Sequence, residues 1–403
     1  MDQRRSSSSM IMDAPAILEH LASKFQGNES QKHALEMLNE VGLPHRKSEA
    51  YKFTPITSLL EKNIDFEAKG SEIFNADKLY KENGSHLVFI NGSLSVKKST
   101  ISEDLTYEVA EVSEGKHDPF SLLNAAYATE ELRITSGHKE PVFIYHFNSN
   151  GFSNPRIKVN VKDGQTFRIV EKLITPEGTK TFTNSYIGFT VGKNAFGYHT
   201  KVQNYNTDTY SHETVVASVS RDSHFYNNTF SFEGAMVRNN LTINLDDENC
   251  EGHMYGLFLL DKKSHVDNNT SVDHLKPNSF SNELYKGILD EKSTGVFNGK
   301  IYVRQDAQKT NAFQSNNNIL LSEDATLHTK PQLEIWADDV KCSHGCTSGQ
   351  LDEDAIFYLR ARGINEKNAK AMILNAFALE TMGQVKIESV REEIQGLIDQ
   401  KLS

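Results

Sequence analysis

The chain is short of cysteine. Three in 403 residues, an odd number, argue against a disulfide framework. Thiols this sparse fit a reducing cytosol, where they stay free, and triplets such as Asn227-Asn228-Thr229 are then incidental rather than glycosylated. Positive charge is also scarce: 43 Lys and Arg against 54 Asp and Glu leave a formal net charge of −11, which argues against a dedicated binder of nucleic acid or of an anionic membrane. No apolar run approaches the roughly 20 residues of a membrane span. The opening MDQRRSSSSMIMD lacks the apolar stretch of a secretory signal, so residues 1–13 are expected to be disordered or tag-like. No phosphate-binding G-x-x-x-x-G-K-[ST] is present: Gly192-Lys193 is followed by Asn194, and Gly115-Lys116 by His117. The chain is therefore expected to have no ATP site of its own, and no flavin motif is visible.

What is present divides into three textures, with 37% apolar residues and a length that admits about 2 to 3 domains. Residues 14–80 read as an N-terminal helical domain. Ala16, Ile17, Leu18 and Leu21 form one apolar stripe and Ala34, Leu35, Met37 and Leu38 a second, which Gly42 and Pro44 stop. Residues 81–340 read as an all-β core. Short alternating runs such as HLVFI (86–90), RIKVNV (156–161), ETVVASVS (213–220) and KIYVRQ (300–305) recur between Asn, Asp, Ser and Gly, without helical patterns between them. Ser-His recurs at 211, 223 and 264 and Asn-Asn-Thr at 227 and 268, while His199, His212 and His224 are 13 and 12 residues apart. A repeated strand plus corner of about a dozen residues suits a parallel β-helix with Asn at its corners. Hairpin signals, which a β-sandwich would need, are confined to Asn91-Gly92 and Asn298-Gly299. The histidines are expected to be solvated or ladder-forming corner residues, since no carboxylate or thiol cluster supports a metal column.

Residues 341–403 read as a C-terminal helical domain. Asp352 or Asp354 caps a helix carrying Ile356, Phe357 and Leu359, and Gly363 ends it. Asn365 caps a second, with Ala369, Met372, Ile373, Ala376 and Phe377. A third carries Ile387, Val390, Ile394, Leu397 and Ile398. Such a tail forms either a self-packed bundle or a docking surface.

Just before it lies Cys342-Ser343-His344-Gly345-Cys346, two soft sulfur donors and an imidazole. The spacing is not that of a zinc finger, and Cys250, the third cysteine, is far off in sequence. Three thiols cannot make a four-thiolate cluster site. A metal held here would therefore need ligands from across an interface. A Cys-His nucleophile is disfavoured by the closeness of Cys342 to His344 and by the lack of an oxyanion donor. An ordinary turn with a buried Cys remains the plain alternative.

The stretch KPQLEIWADDVKCSHG (330–345), with Thr347, Gly349, Leu351-Asp352 and FYLRARGI (357–364), resembles the C-terminal signature of the SufB/SufD family of iron–sulfur cluster assembly proteins. Pro44, Arg46, Glu49, Tyr51, Lys52 and Thr54 resemble the family's N-terminal P-x-R-x-x-E-x-[WY]-[KR]-[YF]-T. Cys-Ser-His-Gly, in place of a Glu-containing C-E-H-E-A-T, is similar to the SufD-like side of the family. Cys346 departs from that pattern, which often has Ala there.

The resemblance implies a mainly β fold, a right-handed parallel β-helix flanked by helical domains. It implies a cytoplasmic, non-catalytic scaffold subunit that partners SufB and a SufC ATPase. Iron or a nascent cluster would be transient cargo at the SufB seam, with His344 and Cys342, and as an open question Cys346, as metal contacts. Ile356, Phe357, Tyr358, Arg360 and Arg362 would dock the ATPase, and a flavin is associated with the complex at family level. Two other readings stay open: a cytosolic β-helix acting on carbohydrate, with Asp246, Asp247 and Glu248 as candidate carboxylates, and a structural homodimer when the chain is alone.

Overall fold

A computed structural model describes residues 16–45, 47–113, 118–149 and 151–403; residues 1–15, with the stretch expected to be disordered or tag-like, Arg46, residues 114–117 and Asn150 fall outside it. Two ten-stranded, mainly parallel sheets dominate the chain. The polypeptide alternates between them, so that each coil contributes one strand to sheet I and one to sheet II. Up sheet I, Phe196, His224, Glu251, Phe280, Asn311 and Lys341 lie in register, at steps of 28, 27, 29, 31 and 30 residues. The dozen-residue repeat in the sequence is thus half a coil, and the architecture is a parallel β-solenoid.

Corners explain the recurrent Asn and Asp. Asn194, Asp222, Asn249, Asn278 and Lys309 occupy the left-handed region at φ 54, 58, 57, 60 and 59°, one above another at one corner of successive coils. Asn and Asp tolerate that conformation best after Gly. The Asn-Asn-Thr copies, by contrast, lie within strands. Asn268 is buried and accepts from the Asn239 side chain at 3.0 Å, an inward ladder rather than a corner.

Of the two expectations for the histidines, solvation fails for His199 and His212, while contact between coils holds: Asn227 on the next coil lies 2.9 Å from His199 Nδ1. His199 and His212 are fully buried. His199 and His146 both hydrogen-bond Glu171 inside the solenoid, at 3.0 and 2.9 Å. Burial opposes the charge on Glu171, but these hydrogen bonds and the Lys201 ammonium hold its carboxyl well below the usual range. His212 points outward from sheet II but is covered by the rings of Phe120 and Tyr51. Period-2 alternation in a half-buried strand cannot reveal whether the outward row is later covered by a helix.

Helices cover both outer faces. On sheet II lie α1 (Ala16–Ala22), α2 (Glu29–Val41), α3 (Ile56–Asn63) and α4 (Pro119–Tyr127). A capping box of Asn28 with Gln31 starts α2 and Gly42, at φ 73°, ends it. α4 falls inside the segment expected to be all β. Its DPFSLL start carries an Asp118 cap and a proline in the first turn, and its residues are buried nearly all round, so no amphipathic stripe marks it.

Three helices complete the chain: α5 (Glu353–Ala361), α6 (Glu366–Leu379) and α7 (Glu388–Leu402). Leu374, Ala378, Val390, Ile394 and Ile398 pack on Phe230, Leu257, Leu259 and Ile288 of sheet I. Most of the tail's apolar face is therefore spent on the solenoid. The helical tail starts later than the expected boundary at 341, because Lys341–Gly349 is the last strand of sheet I.

The N-terminal segment is fastened to sheet II over a buried ion pair that links two neighbouring strands of that sheet. Arg238 engages Asp267, each 1% exposed, while the Arg238 guanidinium lies 4.3 Å from the Tyr51 ring centre and donates to the Ala50 carbonyl at 3.0 Å. Removing Asp267 would leave a buried cation unpaired. Asp267→Ala is expected to cost about 3–5 kcal/mol, measured as a lowered midpoint of urea unfolding.

Candidate functional site

The last coil consists of the strand Thr326–Ile335 on sheet II, a corner, and the strand Lys341–Gly349 on sheet I. Each is the terminal strand of its sheet; among the described residues nothing pairs with their free edges. Pro331 sits in the first of them, where the absent N–H suits a strand with one unpaired side. At the opposite end the sheets close instead on the antiparallel strands Ser93–Leu94 and Thr106–Ala110. The solenoid thus ends on antiparallel strands at one end and on parallel strands, one of them bearing the sulfur and imidazole donors, at the other.

Cys342, His344 and Cys346 fall on alternate positions of this open strand, opposite Ala312, Gln314 and Asn316 of the strand below. Those three partners are buried and face the interior, so the thiols and the imidazole form one row on the same side. With no further coil above, His344 and Cys346 are exposed and Cys342 is half-buried. Cys342 packs with Val303, Ala307 and Ala312, and burial pushes its thiol pKa up. The Cys346 sulfur lies 3.1 Å from Thr329 Oγ1. His344 makes no hydrogen bond among the described residues. Asp338 and Asp339, which precede the strand, make none to it and lie in the corner, several extended residues away.

Alternate positions on a strand are roughly 6.6 Å apart, whereas ligands of one zinc ion sit about 2.0–2.3 Å from it. Accordingly Cys342, His344 and Cys346 do not converge with one another or with a carboxylate into a three-ligand group among the described residues. Cys250 plays no part: it is buried, its thiol faces the carbonyls of Ser220 and Asp247 at 3.1 Å, and burial raises its pKa to about 11.

Beneath the row lie two residues that the sequence reading missed. Gln314 is in register with His344, and its amide donates to Glu283 Oε2 at 2.7 Å, one coil lower. Glu283 is fully buried, and that burial lifts its pKa to about 7. Only the coil period of about thirty residues could have pointed from position 344 to 314 and 283, and the half-coil spacing obscured it.

The two segments that carry the family resemblance meet here. Phe53 stacks on His328 with ring centres 3.9 Å apart, and Glu49 pairs with Lys330. Tyr51 donates to Asp118 at 2.9 Å, and Thr54 hydrogen-bonds His265 at 2.9 Å. The N-terminal motif thus buttresses the outer side of the terminal coil.

On α5, Phe357 is 73% and Tyr358 56% exposed, and Arg362 lies 4.5 Å from the Tyr358 ring centre. Arg360 pairs with Glu366 at 3.4 Å. Ile356 is buried and does not join this outward patch. Asp247 and Glu248 sit at a corner in ion pairs with Arg221, at 3.3 and 3.0 Å, and Asp246 beside them is exposed.

The family model described as SUF system FeS cluster assembly, SufBD core domain, matches residues 144–377. The chain is 31% identical to the iron–sulfur cluster assembly protein SufD of Escherichia coli, over 93% of this chain and 92% of that protein. It is 29% identical to an iron–sulfur cluster assembly SufBD family protein of Synechocystis, over 93% and 90%. To the chloroplastic protein ABCI7 of Arabidopsis thaliana it is 27% identical, over 90% and 84%.

The elevated pKa of Glu283 makes stability pH-dependent in a definite sense. The folded state holds a proton that the unfolded chain, with an ordinary carboxyl, releases near 4.5. Stability is therefore full below about 4.5 and falls as pH rises through about 7. Glu283→Gln should remove this slope, leaving stability at acidic pH little changed and raising it at alkaline pH by roughly 3 kcal/mol. Urea unfolding of both proteins across that range is the check.

Proposed function

This chain belongs to the SufB/SufD family of SUF iron–sulfur cluster assembly proteins and is SufD-like, and we propose that it forms half of a two-solenoid scaffold on which a nascent cluster is assembled. The observation that carries the reading is the open last coil, a ligand-bearing edge strand whose donors are exposed and do not close on a metal by themselves. A free strand edge is a template for another strand. In this reading a SufB subunit pairs on that edge and brings a cysteine opposite His344. Iron or cluster passes through as cargo, contacted by the His344 imidazole and the Cys342 sulfur. Cys346, whose sulfur faces the Thr329 hydroxyl, takes no part in ligation in this reading.

The exposed Phe357 and Tyr358 of α5, with the exposed Arg362 that ends it, support docking of a SufC ATPase there. Ile356, buried, would set the helix rather than touch the partner. Nucleotide-driven movement of that ATPase would shift the tail and open the seam. The chain itself supplies ligands and surface; ATP hydrolysis belongs to the partner. A flavin in the complex has no assigned place on this chain.

His344→Ala in the co-expressed complex should leave subunit assembly intact and lower anaerobic cluster yield at least as much as the roughly 10- to 100-fold loss typical of disturbed metal support. Cys346→Ala should leave the yield unchanged. Normal yield from His344→Ala would remove the ligand role, and a stoichiometric cluster retained by the chain alone would remove the shared-site reading. Light scattering separates a second copy of this chain, the competing partner, from SufB. Phe357→Asp should weaken ATPase binding by about 2 kcal/mol or more, read by calorimetry with far-UV circular dichroism as the folding control.

A further inference from the structure

The outer face of sheet I is only partly covered by α6 and α7. Beyond them its strands begin with a row of stacked rings and one convergent polar group. His224 opens the strand His224–Glu233, and its register partner on the next coil is Glu251, which opens Glu251–Leu260. His253 follows two residues on and points to the same side. His224 Nδ1 is 3.0 Å and His253 Nε2 2.9 Å from the same carboxylate oxygen, Oε2 of Glu251. All the potential ligand atoms lie within 4.8 Å of one another.

The rings are fixed before any ligand arrives. Phe196 stacks on His224 at 4.6 Å and Tyr226 on His253 at 4.4 Å, and the two imidazole planes are parallel within 3°. Such stacking removes the rotational freedom that a loose surface site would lose on binding. His224 Nδ1, which faces the Glu251 carboxylate, is buried without an aligned hydrogen bond, and a buried polar atom of that kind calls for a water or an ion. Burial pushes the His253 pKa down against the pull of Glu251, which favours the neutral, ligating imidazole. Glu251 is 36% exposed, leaving one approach open to solvent.

We propose that His224, Glu251 and His253 form a binding site for a borderline divalent transition cation of the Fe2+/Zn2+ class, distinct from the last coil. Two imidazoles and one carboxylate with an open position are the donor set such ions take. The site does not depend on the cluster-assembly reading, because none of its residues belongs to the terminal coil.

The test uses the full chain under anaerobic conditions in a Cys342→Ser, His344→Ala, Cys346→Ser background, which silences the last coil. Co2+ is titrated by visible absorbance, and Zn2+ and Fe2+ by equilibrium dialysis. The expected result is a single equivalent bound with d–d bands. Its affinity should fall at least about tenfold in Glu251→Gln and in His253→Ala, and weaken toward acidic pH as protons compete with the metal for its ligands. His224→Asn supplies a second variant where His253→Ala fails to fold by circular dichroism. No uptake at micromolar metal, or uptake that all three substitutions leave unchanged, overturns the proposal.

Discussion

A parallel backbone ladder must end somewhere, and where it ends one side of a strand keeps its N–H and C=O groups unpaired. In this chain that termination coincides with the strand bearing Cys342, His344 and Cys346. Everything distinctive about the molecule follows from the coincidence. Were a further coil stacked above, the same three side chains would lie inside the solenoid like Ala312, Gln314 and Asn316 below them. The edge converts an interior row into an accessible one without changing its geometry.

The two helical regions serve the ladder differently. The N-terminal region is locked to sheet II by the Arg238 guanidinium, which meets the Tyr51 ring and the Ala50 carbonyl, and by rings, through Tyr51 with His212 and Phe53 with His328. It therefore stiffens the outside of the coils that lead to the open end. The C-terminal region packs through α6 and α7 on the apolar outer rows of sheet I, and leaves α5 with two exposed aromatic residues. Polar groups inside the solenoid, such as Glu171 with its two histidines and Glu283 with Gln314, occur where neighbouring coils place partners within hydrogen-bond reach. Each is tolerable only because the register supplies the partner.

Much of this was legible from residue order. Alternating strands, corner Asn and Asp, the Asp352 and Asn365 caps and the stop at Gly42 are local signals, and the structure contains each of them. Local signals also misled. The spacing of His199, His212 and His224 suggested solvated or ladder-forming corners, yet His199 and His212 are buried within strands, because burial of an outward or inward row depends on what packs there from elsewhere in the chain. α4 went unseen for the same reason: a helix buried on nearly all sides has no polar face to betray its period.

Residue order by itself determined the solenoid class, the ligand types at positions 342, 344 and 346, and the insufficiency of three thiols for a closed cluster site. Only the tertiary structure decided that this stretch is an edge strand rather than a turn, and that Gln314 and Glu283 lie under it. It alone brought Glu49 to Lys330 and His224 to Glu251 and His253. The physical reason is that such contacts are set by coil register, a sum of strand and corner lengths over about thirty residues. A shift of one residue anywhere in that sum would turn each of these side chains to the opposite face.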